Sequence, residues 1–349
     1  MRLKLPSPLT LLGAGLVLLV ATAAILWIVP SDYYLFLPDK AKPVAPLVTV
    51  QGGKDPAGGS GVYYDAVIVR RAKLFEQLFH FVHEGETLVK ADEVNPPGTS
   101  DQQAHVENLR EMATSQQIAG AVALKQLGYK VVVQPRGALI EAVAPGSPAA
   151  KAKLEPTEII ETIDGKPVRT TGDVRRLMAV HRPGDRVRIG IRTGEGLETK
   201  TVGTVEGCTT QPGGTQCVPD RKRAILGVVV KTAAQIRLPI PVKIDAGQIG
   251  GPSAGLAFAL DVLEELGHDV TRGYKVAATG ELDTDGTVEP IGGVKQKAIG
   301  VRRAGVDVFL VPAGDNAKEA RKYAGSLRII PVESFRQALH ALATLPSKR

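Results

Sequence analysis

Between Asp245 and Leu266 the chain reads DAGQIGGPSAGLAFALDVLEEL, with glycines at 247, 250 and 251 leading into Pro252 and Ser253. The proline and the apolar run behind it predict a helix from Pro252 to Leu266, with the serine just inside its start. Glycines there let the backbone turn tightly and expose N–H groups, and the helix end adds partial positive charge. Gly250, Gly251 and Pro252 could therefore support an oxyanion beside Ser253. The same geometry suits a phosphate, and a Gly-Pro-Ser string also serves as an ordinary helix start. A base separates these outcomes, because a serine hydroxyl is a weak nucleophile until a neighbour takes its proton.

The segment GGVKQKAIGVRRAG, residues 292 to 305, supplies a candidate. At about 100° per residue of a helix, Val294, Ala298, Val301 and Ala304 share a face with Lys297, while Lys295, Gln296, Arg302 and Arg303 take the opposite side. Among these basic residues only Lys297 points inward. A lysine pressed against apolar groups loses hydration of its ammonium, which favours the neutral amine, the form that accepts a proton. A lysine snorkelling past the edge of the core would give the same pattern.

Other chemistries fare worse. Gly251-x-Ser253-x-Gly255 fits a nucleophile elbow, which requires a later histidine. His340 falls with Arg336, Gln337 and Thr344, opposite Phe335, Leu339, Leu342 and Leu345, and so faces solvent. His80, His83 and Glu84 form no H-E-x-x-H, and no metal site is expected. The chain has no G-x-x-x-x-G-K-[ST] string, so neither an ATP motor nor a cofactor is expected.

The elements around these residues follow from periodicity and turn signals. Val62 to Val69 predicts a strand, and Glu107 to Leu127 a helix that stops at Gly128. Residues 128 to 203 form a block with strands at Ala138 to Val143 and Ile159 to Ile163, a turn at Asp164-Gly165 and a helix from Gly172 to Val180. In the block from 224 to 349, strands are expected at Ile225 to Lys231, Val242 to Ile244, Val276 to Thr279 and Val306 to Val311. Helices are expected there at Pro252 to Leu266, Val294 to Ala304 and Val332 to Leu345, an α/β or α+β pattern.

Apolar residues at 44% and charged residues at 23% exclude a disordered or collagen-like chain. A net charge of +7 with only 4% aromatics and scattered basic residues reads as general surface basicity, and no nucleic acid partner is expected. From Leu9 to Val29 there is no charge, and the stretch would make a helix about 31 Å long against a hydrocarbon core of about 30 Å. Arg2 and Lys4 precede it without an acid, whereas Asp32 and Asp39 offset Lys40 and Lys42 beyond it. The positive-inside rule then predicts a single-pass anchor in membrane lipid, with residues 1–8 cytoplasmic and everything after Pro30 outside. A cleaved signal peptide is the alternative, but its small-x-small pattern, Ala21-Thr22-Ala23, falls inside the apolar run. Outside the cytoplasm Cys208 and Cys217 would form a local disulfide, contributing about 2 to 3 kcal/mol, the alternative being two free thiols.

The string VAPGSPAAKAKLEPTEIIETIDGKPVRTTGDVRRLM resembles a bacterial PDZ domain, although Thr157-Glu158 stands where that family usually has Gly-Asp. The resemblance implies that an extended peptide adds a strand to a sheet edge with its terminal carboxylate on backbone N–H groups. Leu127-Gly128-Tyr129 is the candidate carboxylate loop, and a plain helix cap at Gly128 explains the same residues. Gly251-Pro-Ser-Ala-Gly255 and, 44 residues beyond the serine, Lys295-Gln-Lys297 resemble the proteolytic domain of Lon proteases. Thr279-Gly280-Glu281, Pro290-Ile-Gly-Gly293 and Ala304-Gly-Val-Asp-Val-Phe-Leu-Val-Pro312 match the same pattern in order. The resemblance implies a Ser253 nucleophile, a Lys297 base and a supporting Thr279. Many members carry an acid three residues before the serine, where this chain has Gly250, and Asp245 is the nearest upstream acid.

Anchor, PDZ and Lon domain in this order resemble the bacterial YlbL-type membrane proteases. That likeness implies an α+β, ribosomal-S5-domain-2-like proteolytic fold with a β-rich PDZ domain and a transmembrane helix at 9–29. Its parts would be 30–127 as the first half of the Lon-type domain, 128–203 as the PDZ domain, 204–223 as a linker and 224–349 as the remaining proteolytic domain. It implies an ATP-independent endopeptidase cleaving flexible or PDZ-selected proteins, with a homo-oligomer expected from family alone. The alternative is an inactive membrane adaptor that binds partners through the PDZ domain.

Overall fold

The computed structural model describes residues 8–53, 61–79, 83–95, 100–193, 196–210, 217–346 and 348, and within these all side chains except those of 8, 10, 11, 208–210 and 217–222. The chain divides into two compact units. Met1–Lys130 and Leu238–Arg349 together form unit 1, and Val131–Arg237, inserted between those halves in sequence, form unit 2.

Unit 1 begins with α1 (Pro8–Ile28), β1 (Pro30–Pro38), β2 (Lys42–Pro43), β3 (Val48–Val50), β4 (Val62–Tyr64), β5 (Val67–Lys73), α2 (Leu74–Leu78), β6 (Thr87–Lys90), α3 (Ala91–Val94) and α4 (Asp101–Gln126). Unit 2 contributes β7 (Val132–Val143), α5 (Pro148–Lys151), β8 (Ile159–Ile163), β9 (Lys166–Pro167), α6 (Thr171–Met178), β10 (Arg186–Thr193), β11 (Gly196–Gly203), β12 (Val205–Thr210), β13 (Cys217–Ile225) and β14 (Val228–Arg237). The return to unit 1 runs through β15 (Val242–Ile244), a 3₁₀ turn (Pro252–Ala254), α7 (Gly255–Glu265), β16 (Val276–Ala278), β17 (Glu281–Leu282) and β18 (Val288–Glu289). It closes with α8 (Val294–Arg303), β19 (Val308–Pro312), α9 (Asp315–Tyr323), β20 (Arg328–Val332) and α10 (Phe335–Ala343).

The centre of unit 1 is a five-stranded sheet of order β2-β4-β16-β19-β20, parallel except for β2. Parallel strands need crossovers that cover both faces, and side chains alternate between those faces with a period of two. Val276, Ala278, Val308 and Leu310 join a core with Phe258 and Leu260 of α7, Met112 and Val122 of α4 and Phe335 of α10. Ala277, Phe309 and Val311 join a separate core with Ala298 and Val301 of α8 and Ala320 of α9. Helix α7 is buried along its whole length, including its acids Asp261, Glu264 and Glu265.

The strand expected from Val62 to Val69 is interrupted. Its first part, β4, belongs to the central sheet, and its second, β5, pairs antiparallel with β1 in a three-stranded sheet of order β5-β1-β6. Asp65 and Ala66 form the corner between the two sheets.

Unit 2 is an antiparallel sheet of order β11-β10-β8-β7-β14 with β9 on β8, around a core that includes Ile140, Ile160, Ile163, Ile189 and Ile191. Three expectations change here. The strand that begins the block at 224 is instead β14, which pairs with β7 over its whole length and so belongs to unit 2. Residues 204–223, expected as a linker, include the strands of a β12-β13 hairpin. The insertion accordingly runs 131–237, not 128–203. Long-range pairing decides each of these boundaries, and local composition does not encode it. The disulfide expected between Cys208 and Cys217 involves side chains outside the described residues.

Along α1 the apolar side chains of Leu12, Leu16, Leu18, Leu19, Ile25 and Ile28 are exposed. Among the described residues no helix is long and apolar enough to cross a membrane.

Candidate active site

Ser253, Thr279 and Lys297 reach one point from three different elements. The serine lies in the 3₁₀ turn that opens α7, on one face of the central sheet. Lys297 lies in the first turn of α8, on the other face. Thr279 directly follows β16, and Asp65 directly follows the neighbouring parallel strand β4. Val276 pairs with Val62 and Ala277 with Tyr63, so the same register carried past the strand ends sets Thr279 beside Asp65. The site thus stands outside the carboxyl ends of parallel strands, where open α/β sheets leave a crevice.

Lys297 Nζ donates to Ser253 Oγ at 2.7 Å and to Thr279 Oγ1 at 2.9 Å, and lies 2.9 Å from Asp65 Oδ1. The lysine, threonine and aspartate are all buried. Thr279 Oγ1 has Asp65 Oδ1 and the Ser253 carbonyl both at 3.2 Å, so its one proton serves one of them at a time. The Gly280 N–H also donates to the Ser253 carbonyl, at 2.8 Å, which fixes the serine main chain. Burial pushes the Asp65 carboxyl up from the usual carboxylate range, while the Lys297 charge and the bonds from Lys297 and Thr279 pull it partly back.

Helix α4 holds the serine loop from the side. Ser115 Oγ donates to the Pro252 carbonyl at 2.8 Å, and the Gly251 N–H donates to the Asn108 carbonyl at 2.8 Å. Gly251 caps the turn at φ +84°, a left-handed conformation that suits glycine. Gly250 has a different constraint: a Cβ there would stand 2.7 Å from Asn108 Cβ. No side chain fits at the position three before the serine without moving α4, so no acid acts from there. Asp245 is elsewhere engaged, accepting from the Gly247 N–H at 3.0 Å. Pro252 has no N–H, which leaves that of Ser253 as the first donor of the turn, where helix starts lack internal acceptors.

A cleft of about 730 Å³ opens onto Ser253 and Lys297. Its walls are β5, through Val67 and Val69, and one face of α4, through Asp101, His105, Asn108 and Met112. Two expectations about α8 and α10 meet different outcomes. Gln296 is buried, not solvated, because its Nε2 donates to the Gly85 carbonyl and to Thr87 Oγ1. His340 is exposed on α10.

The candidate carboxylate loop is corrected. The N–H groups of Leu127, Gly128 and Tyr129 donate to the carbonyls of Ala123, Lys125 and Leu124, and Gly128 has φ +83°. This is a Schellman cap ending α4, in unit 1, and it leaves no donor for a peptide carboxylate. Asp65 was missed: a single acid within VYYDAVIV belongs to no motif of its own.

Residues 226–344 match the model of the Lon protease (S16) C-terminal proteolytic domain, and residues 139–193 match a PDZ domain. Lon protease 1 of Sorangium cellulosum is 35% identical over 105 residues, covering 27% of this chain and 13% of that protein. Lon protease of Chloroflexus aggregans is 33% identical over 132 residues, covering 36% of this chain and 16% of that protein. The chain therefore spans a small part of the length of the curated relatives it matches. A PDZ domain of an SdrC-like protein from Listeria monocytogenes is 21% identical, covering 27% of this chain and 87% of that one, with a TM-score of 0.21.

Proposed function

We propose, for a chain that carries a Lon protease C-terminal proteolytic domain and a PDZ domain, that it is a serine endopeptidase with Ser253 as nucleophile and Lys297 as base. The observation that carries this is the 2.7 Å contact between a buried lysine amine and a serine hydroxyl at the floor of a cleft. Lys297 takes the hydroxyl proton as Oγ attacks the scissile carbonyl, and the Ser253 N–H, with the helix end behind it, faces the developing oxyanion. The lysine then returns the proton to the leaving amine, and water hydrolyses the acyl-enzyme. Thr279 holds the amine and the serine carbonyl in place. The 349 residues contain no phosphate-binding loop, and cleavage is expected without ATP.

Substrate capture falls to unit 2. Among the described residues β14 ends its sheet, pairing on one side only, and α6 lies beside it through the Thr171 N–H on Thr232 Oγ1 at 3.2 Å. An extended peptide adds to that outer edge. Membrane anchoring through residues 9–29, with the catalytic unit outside the cytoplasm, is supported by the uncharged run and the exposed apolar side chains of α1. The full chain is expected to remain in the membrane pellet after alkaline carbonate, and release into the supernatant would remove the anchor.

The primary test is cleavage of casein and of a short unstructured peptide without ATP. Ser253→Ala and Lys297→Ala are each expected to lose about 10³-fold or more in kcat/KM. A folded wild type that cleaves neither substrate would leave the PDZ adaptor as the better account.

A further inference from the structure

We infer that Asp65 is a positioning residue of this site: it aims the Lys297 amine at Ser253 and balances the charge that the lysine gains during attack. The inference rests on the peptidase reading and goes beyond the serine and lysine that carry it.

Nζ has three oxygen neighbours, Asp65 Oδ1, Thr279 Oγ1 and Ser253 Oγ, at 2.9, 2.9 and 2.7 Å. A neutral amine has two protons and one lone pair. Donating its protons to Asp65 and Thr279 leaves the lone pair in the third direction, toward the serine. A single anchor would leave the amine free to turn about the Cε–Nζ bond, and two anchors hold it. As Oγ bonds to the carbonyl carbon, the serine O–H bond breaks, its proton passes to Nζ, and the carbonyl π pair moves onto oxygen. The new ammonium then faces the Asp65 carboxylate, and the charge pair is made in a buried place where it counts most.

No other acid occupies this role among the described residues. Gly250 has no room for a side chain. Of the charged groups on the cleft walls, Arg70 binds Glu76, Arg71 binds Asp101, and His105 meets Gln248. On α8 itself, Lys295 donates to the Glu86 carbonyl. Asp65 Oδ2 is buried and has no hydrogen-bond partner in the structure. A carboxylate kept half unsatisfied in the interior is costly, and a contact with the base gives it a use.

The test is Asp65→Asn in the full-length protein, an isosteric change that breaks no bond at Oδ2. Peptide cleavage and the rate of Ser253 phosphonylation by a fluorophosphonate are each followed from about pH 5 to about pH 10. Expected are a fall of about 10²-fold in kcat with KM little changed, an equal slowing of phosphonylation, and an acid limb displaced to lower pH. The displacement follows because an ammonium without a neighbouring carboxylate gives up its proton more readily. Wild-type rates, or a loss with the acid limb in place, overturn the inference. Should Asn unfold the protein, Asp65→Glu is expected to keep the wild-type acid limb, and a downward shift in it overturns the inference equally. A wild type that is phosphonylated but cleaves no peptide ends the peptidase reading while the variant still decides Asp65. One that does neither removes both.

Discussion

Asp65 and Lys297 bury opposite charges 2.9 Å apart, and each is expensive there without the other. The Asp65 carboxyl is raised by burial, and the lysine is the largest opposing influence. A carboxyl with a raised folded-state pKa favours folding while protonated, and that contribution is lost as pH rises from the unfolded value through the folded one. Lys297→Met removes the counter-charge and raises the carboxyl further. It is expected to lose about 3 to 5 kcal/mol at pH 7, with the loss shrinking as the pH falls to about 4. Urea midpoints at both pH values check this, and an equal loss at both would show that the ionised Asp65 is not what the lysine offsets. Ser253 was legible in sequence from its run of glycines and Lys297 from the phase of its helix, while Thr279 was pointed to by the family resemblance. Asp65 has no such neighbourhood, since its partners Thr279 and Lys297 lie 214 and 232 residues further along the chain.

At the scale of elements, the two helices that carry the site were readable from their periodicity. The serine lies in the 3₁₀ turn ahead of α7, and the lysine faces inward from α8. Helix α4 was expected from Glu107 but begins at Asp101, because Ser100 accepts from the Gln103 N–H while the Gln103 side chain accepts from the Ser100 N–H. That extra length matters, since Asp101 and His105 line the cleft. The closeness of α4 to the serine loop gives a prediction at Gly250. Gly250→Ala places a Cβ 2.7 Å from Asn108 Cβ, a contact that forces α4 or the loop to shift. A cost of about 1 to 3 kcal/mol is expected, with a fall in kcat because the displaced loop carries Ser253. Denaturant midpoints and peptide cleavage measure the two effects, and an unchanged midpoint would mean that the loop relaxes freely. The break between β4 and β5 was not readable, because Val62 to Val69 has the residue types of one continuous strand and only sheet pairing divides it.

For the whole molecule, the proposed function divides bond cleavage and substrate capture between the two units. A soluble peptide that adds to the edge of β14 is expected to slow cleavage of a protein substrate while leaving that of a short peptide unchanged, and equal inhibition of both would place its binding in the catalytic cleft. The sequence by itself singled out Ser253, Lys297 and the PDZ-like block, because these rest on contiguous motifs or on the phase of a helix, and it pointed to Thr279 through the family resemblance. Tertiary structure alone decided that Asp65 meets Lys297, that Gly250 has no room for a side chain and that β14 completes the inserted sheet. The physical reason is the same for all three. Register and the close approach of backbones are set by residues far apart in the chain, and they exist only once the strands have paired and the helices have packed.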